Sequence, residues 1–264
     1  MGQNFLIDNS VLQKIINAAK LSKNDTILEI GPGLGILTFE LAGKTKQVIA
    51  VEKDERMCEA LQKLLDAGNV RNVEIINEDI LKIQNSKFKI QNYKLVANLP
   101  YYIVSPVIRM FLENPPAGGK PELMVLMIQK EVAQRICAKP GQMSILAVAV
   151  QFYSQPEIIS EVLKTSFYPQ PKVDSAIIKI TPRIDTNPIT NNHEFDTEKF
   201  FNLVRAGFSS KRKFLINNVC EKIQITKPEC QNLFKEIEID AKARAENLSV
   251  DNWIKLYGKI ENIL

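Results

Sequence analysis

Residues 28–38 read Leu28-Glu29-Ile30-Gly31-Pro32-Gly33-Leu34-Gly35-Ile36-Leu37-Thr38. A buried strand, a glycine turn and a helix start follow one another here, the order that a nucleotide-binding unit requires. Glycine lets the backbone turn tightly and lets a ligand approach where a Cβ would collide. The spacing narrows the choice of ligand. A dinucleotide fingerprint runs Gly-x-Gly-x-x-Gly and points a helix N-terminus at a pyrophosphate. In this chain the glycines stand at Gly31, Gly33 and Gly35 and are followed by Ile36, so the phosphate-binding reading weakens.

On either side the chain alternates strand and helix. Val11, Leu12, Ile15, Ile16 and Ala19 recur at helical spacing behind Asp8 or Ser10 as N-cap. Thr26 to Ile30 and Gln47 to Val51 read as buried strands, then a helix over 54–65, strands Val73 to Ile76 and Lys94 to Ala97, a helix near 103–112, strand Leu123 to Ile128 and a helix from Gln129 to Cys137. The apolar run Ile145 to Tyr153 fits either state by periodicity and is assigned to helix. Glu157 to Leu163 and Ser175 to Ile180 read as closing strands, and the Asn/Thr/Pro-rich stretch from Asp185 to Asn192 as a linker. Beyond it Phe200, Leu203, Val204, Leu215, Val219, Phe234, Trp253 and Leu256 are spaced for short helices. The expected fold is α/β: a Rossmann-like, mostly parallel sheet with a closing antiparallel strand over 1–183, and a small all-helical domain over 184–264.

Composition removes several kinds of chemistry. Hydrophobic residues make up 45% of the 264 and charged residues 24%, so most of the chain is expected to fold. A single histidine, His193, sits in the polar stretch, which disfavours a His base or a His-rich metal site. Cys58, Cys137, Cys220 and Cys230 are widely spaced and read as buried reduced thiols. No apolar run is long enough to span a bilayer and no secretory leader is visible, so a cytoplasmic monomer is expected. The net charge of +4 is a mild excess that is compatible with a polyanionic partner.

Gly-x-Gly-x-Gly after an acidic strand resembles the motif of S-adenosylmethionine methyltransferases, whose ligand carries no phosphate. Val51-Glu52-Lys53-Asp54 then ends the second strand with a carboxylate, and Glu52 is assigned to the ribose hydroxyls. Asn77-Glu78-Asp79-Ile80 follows the third strand, where a carboxylate can accept from an adenine amino group while Ile80 packs the ring. Any one acid alone would be an ordinary solvated loop charge. Acids at three successive strand ends mark the edge where open parallel sheets bind ligands.

After the fourth strand comes Asn98-Leu99-Pro100-Tyr101-Tyr102. The lone pair of an adenine amino nitrogen is delocalised into the ring, so a catalyst gains by accepting its N–H bonds as the methyl arrives. Asn98 supplies a side-chain carbonyl, and Pro100 constrains the turn so that the Leu99 carbonyl can point the same way. Tyr101 offers a face for the base to stack on. Attack on a sulfonium methyl needs alignment more than a proton relay, and the target base must be unpaired or flipped out.

Together these motifs resemble the ribosomal RNA adenine dimethyltransferases, which convert two neighbouring adenines near the 3′ end of small-subunit ribosomal RNA to N6,N6-dimethyladenine. The resemblance spans nearly the whole chain. It is carried by Gly2 to Leu6, Glu29 to Gly35, Asn98 to Tyr101, Gln129 to Arg135, the run Phe167-Tyr168-Pro169-Gln170-Pro171-Lys172-Val173-Asp174-Ser175-Ala176, Phe208 to Lys213 and Arg244 to Ser249. It implies a cofactor site of Asn4, Leu6, Gly31, Gly33, Glu52, Asp79, Ile80 and Asn98, with the opening segment over the methionine part. It implies that Asn98 to Tyr101 serve the target base and that Phe167 is a second aromatic beside it. Met143 to Val148 departs from the family's Tyr-Gly-x-Leu-Ser-Val run, and the basic residues that precede Gly2 in relatives are missing, which suggests a trimmed end or a weaker grip on RNA there.

Arg205 and Lys211-Arg212-Lys213 could neutralise phosphates of an immature small ribosomal subunit. Two other readings stay open at this stage. One is a sister enzyme that methylates large-subunit ribosomal RNA and shares the Asn-x-Pro-Tyr turn, although the run from Phe167 to Ala176 favours the small-subunit enzyme. The other is a non-catalytic RNA-binding assembly factor on the same fold.

Overall fold

The computed structural model describes residues 4–83, 90–116, 119–183 and 195–261. A short strand β1 (Phe5–Leu6) leads into helix α1 (Asn9–Ala19), which Asp8 caps by accepting the Ser10 N–H at 2.9 Å. Strand β2 (Thr26–Ile30), helix α2 (Ile36–Ala42), strand β3 (Gln47–Glu52), helix α3 (Glu55–Ala67) and strand β4 (Val73–Asn77) follow in regular alternation. Then come β5 (Tyr93–Asn98), α4 (Val104–Glu113), β6 (Leu123–Gln129), α5 (Lys130–Ile136) and α6 (Ile145–Tyr153). The chain continues with β7 (Ser154–Val162), β8 (Phe167–Tyr168), β9 (Ser175–Pro182), α7 (Thr197–Gly207), α8 (Leu215–Ile223), α9 (Lys227–Glu236) and α10 (Val250–Ile260). His193, the linker stretch 185–192, Gly2 and Gln3 lie outside the described residues.

Seven strands form one sheet in the order β4-β3-β2-β5-β6-β9-β7. The first five are parallel, in registers such as Ile30 opposite Val51, Glu52 opposite Asn77 and Asn98 opposite Met127. The closing part consists of two antiparallel strands, β9 beside β6 and β7 beside β9, which correspond to the two closing strands expected around 157–163 and 175–180. One run outward from β2 goes to β3 and β4, the other to β5 and β6, so the strand order reverses between β2 and β5. That reversal leaves a crevice at the carboxyl ends of the strands. The β-branched runs of β2 and β3 are buried on both faces, as a parallel sheet covered by helices requires. Val11, Leu12, Ile15, Ile16 and Ala19 of α1 pack on Ile27, Val96, Val125 and Ile177.

Two compact units emerge, and they divide the chain differently from the linear reading at one place. The sheet unit comprises Met1–Gln134 and Ser154–Pro182, while Arg135–Tyr153 groups with Arg183–Leu264. The reason is visible in the helical unit. Phe152 stacks on Phe200 with ring centroids 4.8 Å apart and lies 5.7 Å from Phe195, and Tyr153 stacks on Phe201 at 6.0 Å. The turn before α6 is tied to the tail as well, since Gly141 and Met143 both donate to Glu246 O. Met143, part of the run that departs from the family pattern, is thereby buried. Of the four cysteines, Cys58 and Cys230 are buried as expected, while Cys137 and Cys220 are half-buried. Among the described residues no helix is long and apolar enough to cross a membrane.

Candidate active site

The parallel strands deliver their carboxyl ends to one edge of the sheet unit, and the loops leaving them enclose a cleft of about 1240 Å³. Every residue expected to hold the cofactor or the target base lines it: Asn4, Leu6, Gly31, Gly33, Glu52, Asp79, Ile80, Asn98, Leu99, Pro100, Tyr101 and Phe167. Arg205, Lys211, Arg212 and Lys213 belong to the helical unit and are exposed. Arg205 Nη2 donates to Asn202 Oδ1, whereas the three consecutive cations have no ion pair among the described residues.

The glycine turn is shaped by what surrounds it. Gly33 has φ +56°, and a Cβ there would stand 3.4 Å from Phe5 Cε1, so a side chain would be strained and would press on the cleft wall. Gly35, at φ +86°, precedes α2, and a Cβ on it would collide with Leu61 Cδ1. Gly35 is therefore required by the close packing of α2 against α3 as well as by its backbone conformation.

Three acids stand where the sequence puts them, each held differently. Glu52 ends β3, and its Oε1 accepts the N–H groups of Lys53 at 2.8 Å and Asp54 at 3.0 Å. Its Oε2 accepts from Gly33 N at 3.4 Å, which links Glu52 to the glycine turn. Asp79 Oδ1 caps the short 3-10 turn Ile80–Lys82 by accepting from Leu81 N, while Oδ2 accepts from Lys53 Nζ at 2.9 Å. The Lys53 ammonium holds the Asp79 carboxyl below the usual carboxylate range. Glu29, the acid before the glycines, is only 1% exposed. Burial pushes its carboxyl up to about 8, with the charge of Glu52 adding to the rise and the Thr38 hydroxyl opposing it. Among the described residues neither Glu29 Oε2 nor Thr38 Oγ1 makes a hydrogen bond of good geometry, so the Thr38 hydroxyl acts on the carboxyl by proximity alone.

At the other end of the cleft Asn98 closes β5, and among the described residues nothing engages its side-chain amide. Leu99 N–H donates to Met127 O at 3.1 Å, which fixes the turn to β6, and Pro100 leads into the 3-10 turn Tyr101–Ile103. The Tyr101 hydroxyl lies 3.2 Å from Ser175 Oγ at the start of β9. Opposite strand β1, β8 pairs Leu6 with Phe167 and Phe5 with Tyr168, and this ribbon brings Asn4 and Phe167 to the same cleft. Sequence reading missed this pairing, and it missed the lining residues Lys53, Arg56 and Tyr102. Their signal was adjacency: each flanks or nearly flanks a residue already singled out.

Charge along the cleft decides what it can hold. Glu52, Asp54, Glu55, Glu78 and Asp79 face it against only Lys53 and Arg56 among the described residues, and both cations are already paired, with Asp79 and with Asp54 at 2.9 Å each. Such a wall repels phosphates and welcomes a cation. A ligand with sulfonium and ammonium charges, a ribose diol and an amino purine fits these residues. A class I methyltransferase uses such a cleft, at such a reversal of strand order, for S-adenosylmethionine, and fold and site together assign the chain to that class.

Comparison with known proteins sharpens the class to a family. The model of the family described as ribosomal RNA adenine dimethylase matches residues 1–262. A "Ribosomal RNA small subunit methyltransferase A" of Dehalococcoides mccartyi is 47% identical over 97% of this chain and 86% of its own length. The protein of the same name from Clostridium botulinum is 40% identical over 100% of this chain and 94% of its own. Among solved structures, a dimethyladenosine transferase from Plasmodium falciparum superposes with a TM-score of 0.83 at 29% identity, covering 98% of both chains. The 23S rRNA methyltransferase ErmE gives 0.79 at 25%, covering 98% of this chain and 100% of its own. The chain belongs to the ribosomal RNA adenine dimethylase family.

Proposed function

We propose that this chain transfers methyl groups from S-adenosylmethionine to the N6 amino groups of two adjacent adenines near the 3′ end of small-subunit ribosomal RNA, giving N6,N6-dimethyladenosine. It acts as a monomer in the cytoplasm on an immature small subunit. One observation carries the reading: the uncommitted Asn98 amide and the tethered ring of Tyr101 line the same cleft as the acids Glu52 and Asp79.

The donor, when bound, supplies an electrophilic methyl group on a sulfonium centre. Glu52 would hold the ribose hydroxyls, Asp79 the purine amino group and Ile80 the purine face, with Asn4, Leu6, Gly31 and Gly33 around the methionine part. The Asn98 side-chain carbonyl and the Leu99 carbonyl accept the N–H bonds of the target amine, so its lone pair localises as it attacks. Pro100 fixes that turn, while Tyr101 and Phe167 grip the extruded base by stacking. No general base is needed in the bond-forming step, because the extra proton leaves the methylated nitrogen afterwards. Arg205 and Lys211 to Lys213 contribute phosphate contacts that place the subunit.

The test is tritiated methyl transfer to unmodified small subunits followed by nucleoside analysis and primer extension. Dimethyladenosine at two neighbouring small-subunit positions is the expected product. Label in the large-subunit RNA instead, or in no nucleoside at all, would overturn the proposal.

A further inference from the structure

Lys53 joins two of the acids of the cleft, Glu52 and Asp79. Its backbone N–H donates to Glu52 Oε1 at 2.8 Å, and its ammonium donates to Asp79 Oδ2 at 2.9 Å. Between these anchors the four-carbon stem bridges the ends of β3 and β4, and the residue lines the cleft. Asp79 is thus held from both sides, by Lys53 on Oδ2 and by Leu81 N–H on Oδ1 at 3.1 Å. A carboxylate has about four acceptor positions, so these two donors leave room for another.

The pair does little for folding. Lys53 is 68% and Asp79 21% exposed in their side chains, and pairs so open to water add little to stability. Its geometry makes sense as preparation for a ligand, because an acceptor fixed beforehand has no side-chain freedom left to lose on binding. We propose that Lys53 is a positioning residue for the purine end of the methyl donor: its stem covers the ring, and its ammonium fixes Asp79 as an acceptor that selects an amino purine over an oxo purine. This rests on the donor assignment made above. An oxo purine presents an oxygen where an amino purine presents N–H, and a fixed carboxylate repels it. Besides Lys53, the groups bearing on Asp79 are Lys82, whose charge also favours the ionised form, and the Leu81 amide.

The experiment is calorimetric titration of S-adenosylhomocysteine and S-inosylhomocysteine into the wild-type chain, Lys53→Met and Lys53→Arg. Lys53→Met is expected to bind the adenosyl ligand about two- to fivefold more weakly, with the inosyl ligand unaffected, so that the preference contracts by the same factor. Lys53→Arg keeps a cation in reach and restores the preference. Lowering the pH costs Lys53→Met its adenosyl affinity earlier than it costs the wild type, because Asp79 takes up its proton more readily without the ammonium. An unchanged preference in Lys53→Met, or tighter adenosyl binding, would overturn the inference, the latter meaning that lysine and purine compete for Asp79. If the wild type bound neither ligand, the donor assignment itself would fall and take this inference with it.

Discussion

The Tyr101 hydroxyl and Ser175 Oγ meet at 3.2 Å, between the turn that follows β5 and the first residue of β9. A ring pinned at its far end cannot swing away, so it presents one face to an incoming base. Tyr101→Ala is expected to lower methyl transfer to RNA by a factor that corresponds to about 1–3 kcal/mol of lost stacking. Tyr101→Phe keeps the face and loses only the tether, a smaller effect of about 1 kcal/mol. Calorimetry with S-adenosylhomocysteine should find donor affinity close to wild type in both. An equal loss of donor affinity would mean that the two halves of the cleft have been exchanged.

Glu52 should show the reverse pattern. Its carboxylate is already oriented by the N–H groups of Lys53, Asp54 and Gly33, so it meets a ribose without reorganisation. Hydrogen bonds to a charged group are worth about 1.5–3 kcal/mol each. Glu52→Ala is therefore expected to raise the donor dissociation constant at least tenfold. RNA binding, followed by filter retention without donor, should stay near wild type.

Glu29 gives stability a pH dependence of unusual sign. Its carboxyl is pushed up to about 8 in the folded chain and returns to the ordinary carboxyl value of 4.5 on unfolding. The folded state then holds a proton that the unfolded state has released, so this group's contribution is intact below pH 4.5 and is lost as pH rises toward 8. Glu29→Gln is neutral throughout and should gain on the wild type across that window, by at most about 5 kcal/mol. Denaturant melts of both chains at several pH values measure the difference, and a gap that does not widen with pH would rule out a protonated Glu29.

The three exposed cations of the helical unit can be tested through salt. If Lys211, Arg212 and Lys213 each neutralise a phosphate, replacing all three by Ala should make log K fall less steeply with log salt, by about 0.7–0.9 per residue. Titrations of a small-subunit RNA fragment at several salt concentrations give the slope directly. An unchanged slope would remove these residues from the RNA interface.

Local patterns carried most of the fold. Apolar runs bounded by turns gave β2 through β6, and an acid or amide at or just past the end of a run singled out Glu52, Asp79 and Asn98, which line the cleft. Features that depend on distant partners were not legible. Phe5 and Leu6 form a strand too short to show a period, and it exists only because Phe167 and Tyr168 pair with it. The Ile145 to Tyr153 helix was legible, but its place with the tail was not, since the rings of Phe195, Phe200 and Phe201 come later in the chain. Lys53 was not singled out, because its partner Asp79 is 26 residues away. Glu29 was read only as the acid ahead of the glycines, and its full burial depends on helices that cover β2 from elsewhere.

The ribbon of β1 and β8 sets a timetable for synthesis. The glycine turn, both ligand-facing acids and Asn98 are all translated well before Phe167, yet Leu6 has no strand to pair with until that residue emerges. A nascent chain therefore carries the glycine turn and its neighbouring acids before β1 can take its place beside β8.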